Sequence, residues 1–142
     1  MVGTLGLTFE ELDYDRAVMV LPSTPPYHNH IGGPHAGAMF TLAESASGAL
    51  IFANFGDIPD VVTPLAVEAT IRYLKVAMGP VTATATMAQS REKTLEIVRE
   101  GRRPEFTINV ELSTGQGADR LVTGVMSVLW TLRPVRREPT SG

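Results

Sequence analysis

Between Tyr27 and Glu44 the chain is dense in side chains able to do chemistry: His28, Asn29, His30, His35, Thr41 and Glu44, interspersed with Gly32, Gly33 and Gly37. Glu44 is the anomaly. It stands among Leu42, Ala43, Ala46 and Ala49, and an ionised carboxylate in such surroundings is costly unless it has partners. A carboxylate so placed can take a proton as a general base or attack a carbonyl as a nucleophile. It can equally be a structural acceptor for Thr41, Ser45 or a neighbouring chain, because structural networks hold carboxylates in the same way.

His35, Ala36 and Gly37 open the apolar stretch that contains Glu44. If that stretch is a helix, its first N–H groups have no intrahelical acceptor and sit at the positive end of the dipole. Small residues there let a carbonyl oxygen or an anion approach the backbone, which is how an oxyanion hole is built without side chains. The bland alternative is that Gly32-Gly33-Pro34 only makes the turn into the helix. Spacing then sets a condition. Ala36 and Glu44 are eight residues apart, roughly 12 Å along a helix axis, whereas a base must lie within about 3 Å of the group it serves. One helix cannot bring both ends to one carbonyl, so if both act together they come from two chains and the protein is a dimer.

The remaining groups suggest less. His28, His30 and His35 could hold zinc, but no nearby Asp, Glu or Cys completes a ligand set, so hydrogen bonding within the loop is preferred and no metal is expected. Asn29 orients a water or a substrate carbonyl, or stabilises the turn. Ser45 and Ser47 lack a Gly-x-Ser-x-Gly elbow, and Gly32–Gly37 lacks the Lys-Ser/Thr of a phosphate loop. Met39, Phe40, Phe52 and Phe55 are candidates for an apolar pocket, although helical periodicity makes most of them core.

The elements that must position these groups follow from pattern. Residues 35–55 contain no proline and carry apolar or small residues on every face, which predicts a long, enclosed helix ended by Gly56, Asp57 and Pro59. Ala17–Leu21 reads as a strand stopped by Pro22. Beyond the helix, alternation dominates. Leu65, Val67, Ala69, Ile71 and Tyr73 oppose Glu68, Thr70 and Arg72, and Val81, Ala83, Ala85 and Met87 oppose threonines at 82, 84 and 86. That threonine face is either solvent or contact. Phe106–Leu112 and Leu121–Leu132 are further strands, and Ser90–Gly101 is a short surface helix capped by Ser90 and anchored by Leu95 and Val98. An antiparallel sheet with one apolar face needs a cover, and the helix at 35–55 is the element suited to it. The expectation is an α+β fold, an antiparallel sheet wrapped around one long central helix, as a single domain over 1–142 with 1–4 and 136–142 frayed.

Composition sets the outer bounds. A chain of 142 residues makes one core. A net charge of −3 argues against a broad nucleic-acid face, and the absence of cysteine excludes disulfides and thiol nucleophiles. The stretch 35–55 is interrupted by Thr41, Glu44, Ser45, Ser47 and Asn54 and lacks basic flanks, so neither a membrane span nor a membrane partner is expected, and the reading is a cytoplasmic protein.

The run from His28 to Glu44, with Phe40-Thr41-Leu42-Ala43-Glu44 at its end, resembles the signature of hotdog-fold acyl-CoA thioesterases, nearest the phenylacetate-pathway type. Thr70-Ile71-Arg72-Tyr73-Leu74-Lys75 is similar to that family's second-strand motif, and the extra helix at 90–101 resembles an uncharacterised thioesterase-like branch. The resemblance implies a hotdog fold and hydrolysis of an acyl-CoA thioester, with coenzyme A present only as part of the substrate and no other cofactor. Glu44 would stand at the catalytic acid's place, Ala36 with Gly37 at the oxyanion hole, and Asn29 near the thioester. His35, Thr70 and Phe40 would contact substrate. It also implies homodimers with active sites at the subunit interface, and leaves their pairing into homotetramers open. A non-catalytic acyl-thioester binding protein of the same fold is the main alternative. A dehydratase, using His28 or His35 against an acid, is a third.

Overall fold

The computed structural model describes residues 1–135; the segment 136–142 lies outside the described residues. A one-turn helix α1 (Val2–Leu5) leads to strands β1 (Thr8–Leu12) and β2 (Arg16–Leu21), and the long helix α2 (Ala36–Phe55) follows. Then come β3 (Val62–Tyr73), β4 (Val81–Met87), helix α3 (Arg91–Arg99), β5 (Glu105–Thr114) and β6 (Leu121–Pro134). The strands form one sheet in the order β1-β2-β4-β5-β6-β3, with antiparallel pairing throughout. The sheet wraps around α2, which packs mainly on β2, β4 and β5, the arrangement expected of a hotdog fold.

The core follows from the two periodicities. Val81, Ala83 and Ala85 of β4, with Phe106, Ile108, Val110 and Leu112 of β5, turn inward against Leu42, Ala46, Leu50 and Ile51 of α2. Each fully buried Leu, Ile or Val there is worth about 1.5–3 kcal/mol. Small residues on α2 let the helix approach the sheet closely. Its C-terminal end is tied down by polar bonds: Asn54 Nδ2 donates to the carbonyls of Tyr14 and Leu50, and Arg91 Nε donates to Asn54 O. The Arg91 guanidinium also reaches Asp57 at 3.0 Å, fixing α3 beside that end. Ser90 caps α3 as expected, accepting the Lys93 N–H.

Four expectations are corrected. Residues 1–4 are not frayed. Leu5 and Leu7 are buried, and the Tyr27 hydroxyl donates to Thr4 O at 2.8 Å, so packing holds a turn of helix too short to stand alone. Two strands precede α2 rather than one, because β1 pairs with β2 through Thr8–Leu12. Nor is α2 enclosed. The sheet covers one side, and Glu44, Ser45, Gly48, Ala49 and Phe52 lie on the other, with Phe52 70% exposed. Finally, β3 does not keep one phase. A bulge between Ala66 and Glu68 shifts its register against β6, so that Ala69 and Ile71 pair with the inward Val128 and Met126, whereas Leu65 pairs with Thr131, out of step with them. By length and composition α2 would pass for a membrane span; here it is the central helix of the sheet.

Candidate active site

The loop ahead of α2 is shaped by its own polar groups. Asn29 Oδ1 accepts the N–H groups of Ile31 and Gly33, both at 3.0 Å, and Asn29 N–H donates to Gly33 O at 2.7 Å. Its Nδ2 reaches Pro34 O at 3.4 Å. Asn29 is thus occupied in holding the turn. Gly33 is required because a Cβ there would collide with the carbonyl of Ala77, and Gly32 takes φ 82°. His28 bridges to Pro34, and His35 N–H donates to Tyr27 O, which aims the chain into the helix.

His35 is the N-cap of α2. Its Nδ1 accepts the Gly37 N–H at 2.8 Å, so a neutral ring carries its proton on Nε2. Capping thus takes up the Gly37 N–H, one of the two expected oxyanion donors. Ala36 and Ala38, the first and third helical residues, keep N–H groups that a helix start leaves without an intrahelical acceptor. Tyr73, at the end of β3, donates its hydroxyl to Ala36 O at 3.0 Å, and burial raises its phenol above the ordinary 10.0.

Two clefts flank the helix start. One, of about 370 Å³, lies between the Asn29 loop, Ala36, Met39 and the segment Tyr73–Ala77, with Lys75 at its edge. The other, of about 240 Å³, is bordered by Tyr27, His28, His35, Gly37 and Thr41. Glu44 lines neither. It opens into a third groove of about 350 Å³ with Ser45, Gly48, Ala49 and Phe52 of α2, walled by Phe9, Met19 and Trp130. The ion pairs among the described residues, Arg16–Glu11, Arg91–Asp57, Arg91–Glu92, Arg102–Glu100 and Arg120–Glu111, leave Glu44 out.

Within one chain, then, Asn29 and Ala36 share one cleft, His35 and Gly37 share the second, and Glu44 stands apart from both. Thr70 lies exposed on β3, and Phe40 is half-buried and packs on the core. The three histidines do not converge: His28 Nε2 meets Ser23 Oγ at 3.0 Å and His35 caps α2, and among the described residues no group of three candidate ligands is placed to hold a metal. Sequence pattern does not single out Tyr73, Gly48 or Trp130 as site residues. Trp130 Nε1 donates to Ser47 Oγ at 2.6 Å across 83 residues of sequence, a contact that only the fold creates.

Residues 1–130 match the family described as Domain of unknown function (DUF4442). No curated protein matches the sequence. Among solved structures, a protein of unknown function from Pseudomonas aeruginosa, described as a probable thioesterase, is 29% identical and superposes with a TM-score of 0.83, over 94% of this chain and 87% of that one. A thioesterase family protein from Silicibacter pomeroyi is 18% identical, with a TM-score of 0.73 over 94% and 89%. The phenylacetic acid degradation protein PaaI from Thermus thermophilus, as a single-residue variant, is 17% identical, with a TM-score of 0.69 over 93% and 96%. The hotdog fold and the kinship with thioesterase-family structures rest on these likenesses.

Proposed function

From the premise that the chain belongs to the family described as Domain of unknown function (DUF4442), and that its fold is shared with thioesterases, we propose that it hydrolyses an acyl-CoA thioester as a homodimer. Glu44 carries this reading: a carboxylate in a largely apolar groove on the central helix, left out of the ion pairs of the described residues.

In this reading Glu44 acts on a carbonyl held by Ala36 N–H of the partner subunit. As a base, Glu44 takes a proton from water while the water oxygen bonds to the thioester carbon, and the oxyanion is stabilised at the positive helix end. Collapse breaks the C–S bond, and the proton on Glu44 passes to the leaving sulfur, giving a carboxylic acid and coenzyme A. As a nucleophile, Glu44 would instead bond to the thioester carbon and expel the coenzyme A thiolate, leaving an anhydride. Water cleaves it, giving its oxygen to the acyl product, restoring the Glu44 carboxylate and supplying the proton the thiolate takes up. Asn29 serves by holding the loop, and Gly37 by donating its N–H to the His35 cap. His35 then presents Nε2–H at the mouth of the site, and Thr70 and Phe40 contact substrate near the subunit seam.

The dimer is supported by β3. Among the described residues it is an edge strand, twelve residues long and paired only with β6, and residues 65–70 are exposed on both faces. An uncovered edge of that length is a template for a second strand. Pairing β3 with its own copy supplies one.

The test is turnover of an acyl-CoA panel by the wild type and Glu44→Gln side by side. The variant should lose about a hundredfold or more in kcat with its fold intact. Equal rates would remove Glu44 from the chemistry. Saturable binding without turnover in both proteins would instead make this a non-catalytic acyl-thioester binding protein.

A further inference from the structure

Gly48 has no backbone reason to be a glycine. It lies mid-way along α2 in ordinary helical conformation, where glycine weakens a helix relative to alanine. Interior helical glycines are commonly kept because another part of the chain approaches closely, yet a Cβ at Gly48 would meet nothing within 4 Å. What the missing side chain leaves is space, and that space is part of the Glu44 groove.

The chemistry of the groove is one-sided. Glu44 and Ser45 stand at one end. Phe9 and Met19, cross-strand partners on β1 and β2, line it together with Val2 and Trp130. Phe52 closes the far end, eight residues on from Glu44, roughly 12 Å along the helix. Among the described residues no cationic side chain lines it. A volume of about 350 Å³ lies at the small end of ligand pockets. Such a groove accepts an uncharged apolar tail that carries a reactive carbonyl at the Glu44 end, and repels an acyl group bearing a second carboxylate.

Resting on the hydrolase reading, we propose that this groove is the acyl subsite and that Gly48 sets its depth, selecting an apolar acyl group of medium length whose tail runs towards Phe52. A Cβ at position 48 enters the subsite without touching the protein, so side chains there shorten the subsite from its own floor and change specificity while the fold stays.

The experiment compares kcat/KM on acetyl-, hexanoyl- and succinyl-CoA for the wild type, Gly48→Ala and Gly48→Leu. The wild type should favour hexanoyl-CoA over both others. The hexanoyl-to-acetyl ratio should fall severalfold in Gly48→Ala and about tenfold or more in Gly48→Leu, with thermal unfolding of both variants no lower than wild type. An unchanged ratio, or preferred hydrolysis of succinyl-CoA, overturns the proposal. So does a Gly48→Leu protein that loses dimer mass while its residual activity keeps the wild-type ratio, since the groove would then be covered by a second copy. A second readout separates the subsite from the hydrolysis. Trp130 is the chain's single tryptophan, so hexanoyl-CoA titrated into Glu44→Gln should change its fluorescence saturably, and Gly48→Leu in the same background should abolish the change. If that response is present and no variant turns over any substrate, the subsite stands and the hydrolase reading falls; if it is absent, or survives Gly48→Leu, the subsite falls.

Discussion

Tyr73 joins the end of the edge strand to the start of the central helix through its bond to Ala36 O, and only a protonated phenol can donate it. Burial raises the phenol's pKa, so folding favours the neutral form. The sign follows: the contribution is complete below the ordinary value near 10.0 and is lost as pH climbs through the raised folded value. Wild-type melting temperature should therefore fall more steeply above about pH 10 than that of Tyr73→Phe. At neutral pH the variant should lose about 0.5–1 kcal/mol in urea unfolding. Parallel alkaline falls would show that another group is responsible. At this scale the sequence singles out Glu44 as a carboxylate among alanines, and the fold sets it half-buried on the side of α2 that the sheet leaves uncovered. The sequence does not reveal the Tyr73–Ala36 bond, which spans 37 positions, or that Asn29 is absorbed by its own turn and that His35 takes the Gly37 N–H.

Elements are legible where burial is one-sided and caps are explicit. Strand β4 alternates, as do β5 over 105–112 and β6 over 125–130, α2 runs without proline from a capping residue to Gly56, and Ser90 and Gly101 bracket α3. Strand β1 is not legible, because all five of its residues are exposed and alternation carries no burial signal. Strand β3 is legible as a strand but not in phase: Leu65 and Val67 are as apolar as Ala69 and Ile71, so composition does not mark the bulge between Ala66 and Glu68. The same exposure makes β3 the expected seam. Val67 lies near the middle of Val62–Tyr73, so in a two-fold antiparallel pair it approaches its own copy. Val67→Lys sets like charges against each other there. Light scattering should show dimers dissociating at about tenfold or more higher concentration than wild type, with unchanged circular dichroism. A mass that stays dimeric to the same dilution would place the seam elsewhere.

For the whole molecule, the proposed reaction turns on the length of α2. The helix separates its amide-bearing start from Glu44 by roughly 12 Å, and the two open into different clefts. A complete site in the proposed dimer takes Glu44 from one protomer and the helix start from the other. Proline can delete the donor while sparing the element. At the first helical position its fixed φ suits the helix, and His35, at φ −60° and ψ 139°, already has the extended backbone that a residue before proline prefers. Ala36→Pro should therefore fold normally and lose most turnover, as should Glu44→Ala. Mixed in equal amounts and allowed to exchange subunits, the two inactive proteins form heterodimers in which one site is wild type and the other lacks both groups. With half the dimers mixed and one site intact in each, activity should return to about a quarter of wild type. A site contained within one chain would give no recovery from any mixture, because every protomer present would carry a broken half.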